Sequence, residues 1–118
     1  MTDILLVRHG ETEDNAVHRI QGWGDSALSA RGREDAAAAG RVLAGKNLEA
    51  LYCSDLERAA ETAAIIAEET GHVPAPIEDL REIHLGPWEG RLLKEVTATD
   101  TDAFERWRWD ARVPPYPD

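Results

Sequence analysis

The chain has 118 residues and a mass of 13.0 kDa, enough for one domain with a modest core. Its 13 basic and 23 acidic residues give a net charge of −10 and a pI near 4.8, which argues against general binding to a nucleic-acid backbone. No apolar run approaches the roughly 20 residues that span a bilayer. The single cysteine, Cys53, excludes an internal disulfide framework and a cysteine-based zinc site. The opening Met1-Thr2-Asp3 has no basic stretch, so no secretory signal and a reducing, cytoplasmic setting are expected.

Asp3 to Val7 is a short unbroken aliphatic run that predicts a strand buried on both faces. It leads straight into Arg8-His9-Gly10-Glu11-Thr12, and open α/β sheets place their sites at such strand ends. A polar loop follows to about Leu28. Ser29 is suited to cap a helix over 30–43 whose small residues Ala36, Ala39 and Gly40 would pack on a sheet, and Gly45 can stop it. Residues 48–53 predict a second strand. Ser54 and Glu57 have capping-box spacing for a helix over 55–70, with Ala60, Ala63, Ala64 and Ala67 on one side and Gly71 at its end. Residues 73–77, with Pro74 and Pro76, predict an edge strand. The alternation is a parallel α/β pattern. Residues 80–90 read as a loop, 91–97 and 102–110 as short helices, and Pro114, Pro115 and Pro117 as an extended end.

Three places can carry chemistry. A neutral imidazole is a competent nucleophile, and a phosphoryl group accepts it once its charged oxygens are neutralised. Arg8 beside His9 suits that task, because guanidinium is planar, permanently charged and bidentate. Gly10 would let the backbone approach an anion closely. Arg58 falls in the first turn of the second helix, where a bound anion would offset the unfavourable dipole. A surface pairing with Glu57 or Glu61 is the bland alternative. Glu82 lies between apolar anchors, and phosphate-ester cleavage needs one group to protonate the leaving oxygen and later to activate water. Cys53 reads as a small apolar filler, and Trp23 and Trp88 as entrance walls or core.

Leu5-Leu6-Val7-Arg8-His9-Gly10-Glu11-Thr12, followed by Asn15, Gln21-Gly22, Leu28-Ser29 and Gly32, resembles the opening of the histidine phosphatase superfamily, phosphoglycerate mutase-like branch. Residues 52–63 and 80–90 resemble its second and third signatures, in the right order. The resemblance implies a three-layer α/β sandwich with a mainly parallel sheet flanked by helices. It implies that His9 is the phosphorylated nucleophile, that Arg8 and Arg58 bind phosphoryl oxygens, and that Glu82 donates and accepts the proton. Asn15 would contact the phosphate or substrate, Gln21 and Gly22 would line the entrance, and Thr12 would orient the first loop. Ser54, Asp55 and Thr62 would be structural. No metal and no cofactor are implied.

One departure stands out. The family carries a second essential histidine after a later strand, and His18, His72 and His84 do not follow such a strand. Val113-Pro114-Pro115 resembles the loop that precedes that region. The expectation is therefore that residues 1–118 form a single, incomplete domain lacking the C-terminal part and a central strand. An open edge beside the first strand, and pairing or homodimerisation through it, would follow. The favoured function is hydrolysis of small phosphorylated metabolites, because the stretch between the second and third signatures is compact and the entrance is poor in basic residues. The alternatives are a phosphoglycerate mutase dependent on bisphosphoglycerate, and a catalytically impaired fragment that only binds.

Overall fold

The computed structural model describes residues 2–110 and Arg112. The expected extended end at Pro114, Pro115 and Pro117, and the Val113–Pro115 resemblance, lie outside the described residues. Thr12 begins the first helical turn, α1 (Glu13–Ala16). Helix α2 (Ala30–Ala44) starts at the expected cap, where Ser29 Oγ accepts the Gly32 N–H at 3.0 Å, and Gly45 closes it. Strand β1 (Tyr52–Ser54) leads into α3 (Glu57–Thr70), which ends on Gly71 in the left-handed conformation with φ 77°. Strand β2 (Ala75–Ile77) then pairs with β1 in parallel, Cys53 opposite Pro76. The β1–α3–β2 unit is the expected parallel crossover with shorter strands. Pro76 sits in an edge strand, where a missing N–H is tolerated.

The helices pack differently from the composition pattern. A Cβ on Gly40 would lie 3.2 Å from Ile66 Cα, so the small face of α2 rests on α3 and not on a sheet. The buried face of α3 is Arg58, Thr62, Ala63 and Ile66, while Ala64 is exposed. Positions 58, 62 and 66 repeat every four residues, so the helix is rotated to bring a charged and a hydroxyl side chain inward.

The third segment folds around Trp88, which is 1% exposed. Single 3₁₀ turns cover Glu78–Leu80 and Gly86–Trp88, followed by α4 (Leu93–Thr99) and α5 (Thr101–Trp109). Phe104 and Trp107 pack on Trp88 at ring separations of 6.0 and 6.1 Å. The Trp88 indole N–H donates to Asp100 Oδ2 at 2.7 Å, which satisfies its one buried polar atom. Trp88 is thus core and not an entrance wall. The helix expected from Arg91 starts two residues later, because the Arg91 carbonyl accepts the Ile20 N–H and fixes the first loop there instead.

Residues 3–7 belong to no helix or strand and pair with no strand among the described residues. Ile4 and Leu6 are 78% and 92% exposed. The aliphatic pattern that predicted a doubly buried strand therefore meets no sheet here, and neither that strand nor the open edge expected beside it is formed among the described residues.

Candidate active site

The loop at 8–12 is seated by two helices, α3 and the start of α2. Thr62 Oγ accepts the Gly10 N–H at 3.0 Å and donates to the Arg58 carbonyl at 2.8 Å, so α3 holds the loop through one buried hydroxyl. The Ser29 N–H donates to the Glu11 carbonyl at 2.8 Å. A Cβ on Gly10 would stand 2.9 Å from the Gly32 carbonyl carbon, and one on Gly32 would meet the Glu11 backbone. The pair Gly10 and Gly32 thus lets the loop lie directly on the start of α2. That packing, rather than approach to an anion, is what the structure asks of Gly10.

His9 is half-buried. Its Nδ1 lies 2.7 Å from the Gly10 carbonyl oxygen. A carbonyl only accepts, so Nδ1 carries the proton and the Nε2 lone pair is left for other chemistry. Burial holds the imidazole pKa below its usual 6.5, and the positive charges of Arg58 and Arg8 push the same way. The Gly10 hydrogen bond and Asp25 oppose that shift without reversing it. The ring is therefore neutral at physiological pH.

Arg58 is 3% exposed. Its Nη1 donates to the Gly24 carbonyl at 2.9 Å and to Asp25 Oδ1 at 3.1 Å, and its Nη2 donates to the Gly22 carbonyl at 2.6 Å. Among the described residues, Nε–H and the second Nη2–H have no partner, so two of the five donors remain for a ligand. The ion-pair partner is Asp25 and not Glu57 or Glu61. Glu61 instead accepts from the Leu28 N–H and pairs with Arg33. Sequence reasoning also missed who caps α3. Ser54 Oγ accepts only the Leu56 N–H, whereas Asp25 Oδ2 and Oδ1 accept the N–H groups of Glu57 and Arg58 at 2.6 and 3.2 Å. An aspartate 32 positions away leaves no local spacing signal.

The first loop is closed by its own polar network. Thr12 is fully buried and donates to Gln21 Oε1 at 3.1 Å, which also accepts from the Asn15 amide at 3.2 Å. Asn15 Oδ1 accepts the Thr12 N–H at 3.1 Å, and the Asn15 N–H returns to Thr12 Oγ at 3.0 Å. Gly22 is buried with φ 54° and offers its carbonyl to Arg58. Arg8 is exposed.

Glu82 comes from the third segment and is exposed, with Oε1 accepting the Ile83 N–H at 2.9 Å. Its backbone is anchored toward the first loop, because the Trp23 indole donates to the Glu82 carbonyl at 2.7 Å. Arg81 grips Asp55 with Nε and Nη2 at 2.6 and 2.7 Å, which holds the Asp55 carboxyl below its usual range, and stacks on Trp23 at 4.9 Å. His84 packs edge-on against Trp23 at 4.7 Å. His72 donates through Nε2 to the Leu48 carbonyl at 2.7 Å beyond the far end of α3, opposite the end that seats His9. Among the described residues, no three His, Cys, Asp or Glu side chains converge as a metal ligand set.

Residues 4–117 match the histidine phosphatase superfamily (branch 1). The chain belongs to this superfamily. Its relatives within the histidine phosphatases include a glucosyl-3-phosphoglycerate phosphatase of Mycolicibacterium vanbaalenii, 42% identical over 96% of this chain and 50% of that protein. A probable phosphoglycerate mutase of Serratia proteamaculans is 41% identical over 92% and 48%. The native structure of a mycobacterial glucosyl-3-phosphoglycerate phosphatase superimposes with a TM-score of 0.83 at 40% identity, over 92% of this chain and 51% of that one. Bacillus stearothermophilus YhfR gives 0.83 at 42% identity, over 94% and 55%. The chain thus spans about half the length of the curated relatives it matches, and it shares their α/β fold over that half.

Proposed function

We propose that this chain carries the phosphohistidine half of a phosphatase acting on small phosphomonoesters. The observation that carries the reading is the His9 imidazole: neutral, protonated at Nδ1 by its bond to Gly10, and set beside Arg58 and Arg8. In the first step His9 Nε2 forms a bond to phosphorus and the ester P–O bond breaks. The departing oxygen takes a proton from the Glu82 carboxyl. In the second step Glu82, now a carboxylate, takes a proton from water as that water bonds to phosphorus. The P–N bond breaks, and inorganic phosphate and neutral His9 are restored. Arg8 and the two remaining donors of Arg58 hold the phosphoryl oxygens, with no metal or cofactor needed. Asn15, Gln21, Gly22 and Thr12 serve this reading by shaping the loop through which substrate passes. The substrate is a small phosphorylated metabolite, in keeping with the names of the phosphatase relatives.

The mutase reading differs in who accepts the phosphoryl group. The test is turnover of p-nitrophenyl phosphate by the purified chain. Release of phosphate to water without added bisphosphoglycerate is the expected result. A strict need for bisphosphoglycerate would favour the mutase, and binding without turnover would favour a fragment that only binds.

A further inference from the structure

We propose that Asp25 is the positioning residue of this site, presenting Arg58 to a phosphoryl group by capping the helix turn that carries it. The inference rests on the phosphohistidine reading above. One carboxylate meets both constraints at once. Its two oxygens accept the Glu57 and Arg58 N–H groups at 2.6 and 3.2 Å, and Oδ1 also accepts from Arg58 Nη1 at 3.1 Å. The same amino acid, Arg58, is therefore fixed at its backbone and at its guanidinium from one point on another segment.

The arrangement changes what the α3 N-terminus offers. A helix N-terminus with unpaired N–H groups is a ready anion site. Here the chain's own carboxylate occupies it, so a phosphoryl group is met by guanidinium donors and not by the helix start. The Gly22 and Gly24 carbonyls hold the other side of the guanidinium at 2.6 and 2.9 Å. Carbonyls orient a cation but do not neutralise it, whereas Asp25 does both. Among the described residues the charges bearing on His9 are Arg58, Arg8 and Asp25, so Asp25 also moderates the two cations at the nucleophile.

The experiment compares the wild-type chain with Asp25→Asn and Asp25→Ala. Asparagine keeps one acceptor for the helix cap and removes the charge, while alanine removes both. Two readouts are taken without turnover: the Arg58 Nη1–H resonance with the His9 imidazole titration by NMR, and affinity for inorganic phosphate by calorimetry. The expected result for Asp25→Ala is loss of a protected Arg58 Nη1–H signal, a His9 titration displaced to lower pH, and phosphate affinity weakened about tenfold, the scale of one charge-assisted hydrogen bond. Asp25→Asn should recover part of the affinity and of the Arg58 signal but keep the displaced titration. An unchanged Arg58 signal, or phosphate binding that tightens in both variants, would overturn the proposal, because Asp25 would then be only a repelling charge. Should wild type bind no phosphate at all, the phosphohistidine reading fails. The Arg58 and His9 signals still decide the role of Asp25.

Discussion

The chemistry of the site turns on the protonation of one ring. His9 in the folded chain has a pKa below the usual 6.5, so protonation favours the unfolded state. The stability it lends is complete above about 6.5 and is lost as pH falls through the lower folded value. Replacing His9 with Asn should therefore flatten the fall in Tm between neutral and mildly acidic pH, measured by thermal unfolding. An identical fall in both proteins would place the shift elsewhere. Removing the Arg58 guanidinium with Arg58→Ala should lower turnover of p-nitrophenyl phosphate by about 10²–10³, the usual scale for one transition-state donor. A loss under threefold would remove Arg58 from the phosphoryl site. At this scale the sequence was legible for the place of Arg58 in the first turn of α3, because a helix start is a local signal. It was silent on Asp25, whose role comes from a partner far along the chain.

Among the elements, α3 is the organiser. Its Thr62 hydroxyl joins the 8–12 loop to the Arg58 carbonyl, so Thr62→Val leaves the buried Gly10 N–H without a partner. That should cost about 1–3 kcal/mol by thermal or denaturant unfolding, with Thr62→Ser close to wild type. Gly32 gives a sharper test of the packing against α2. Gly→Ala inside a helix normally stabilises by about 1 kcal/mol. Here the new Cβ would strike the Glu11 backbone, and overpacking of this kind costs about 1–3 kcal/mol, so the net sign should be destabilising. A stabilised Gly32→Ala would show that the loop does not sit on α2. Helix ends were readable from Ser29, Gly45 and Gly71, because caps are local chemistry. The inward face of α3 was legible only in part: Ala63 and Ile66 are buried as the apolar pattern indicates, whereas Arg58 and Thr62 join that face and Ala64 does not. Residues 3–7 show the same limit: an aliphatic run specifies the preference for a sheet, but pairing needs a partner strand.

Across the whole molecule, exposed surface and charge set the behaviour in solution. The accessible surface is 7927 Å², against about 6,300 Å² for a compact monomer of this mass. Ile4 and Leu6, exposed and strand-prone, account for part of that excess. Leu6→Lys should therefore reduce concentration-dependent association in sedimentation velocity. No change from a self-associating wild type would move the contact to another surface. The net charge of −10 repels anions at long range, while Arg58 acts at contact. Phosphate affinity should thus hold or rise as salt is added, and a steep fall would contradict a locally built cation site. The most direct test of the central claim is the covalent one. The chain is incubated with a phosphoryl donor, digested and examined by mass spectrometry and phosphorus NMR. The account predicts an acid-labile phosphoryl group on Nε2 of His9 that is absent from His9→Asn. Phosphate on Nδ1, on another residue, or nowhere at all would contradict it.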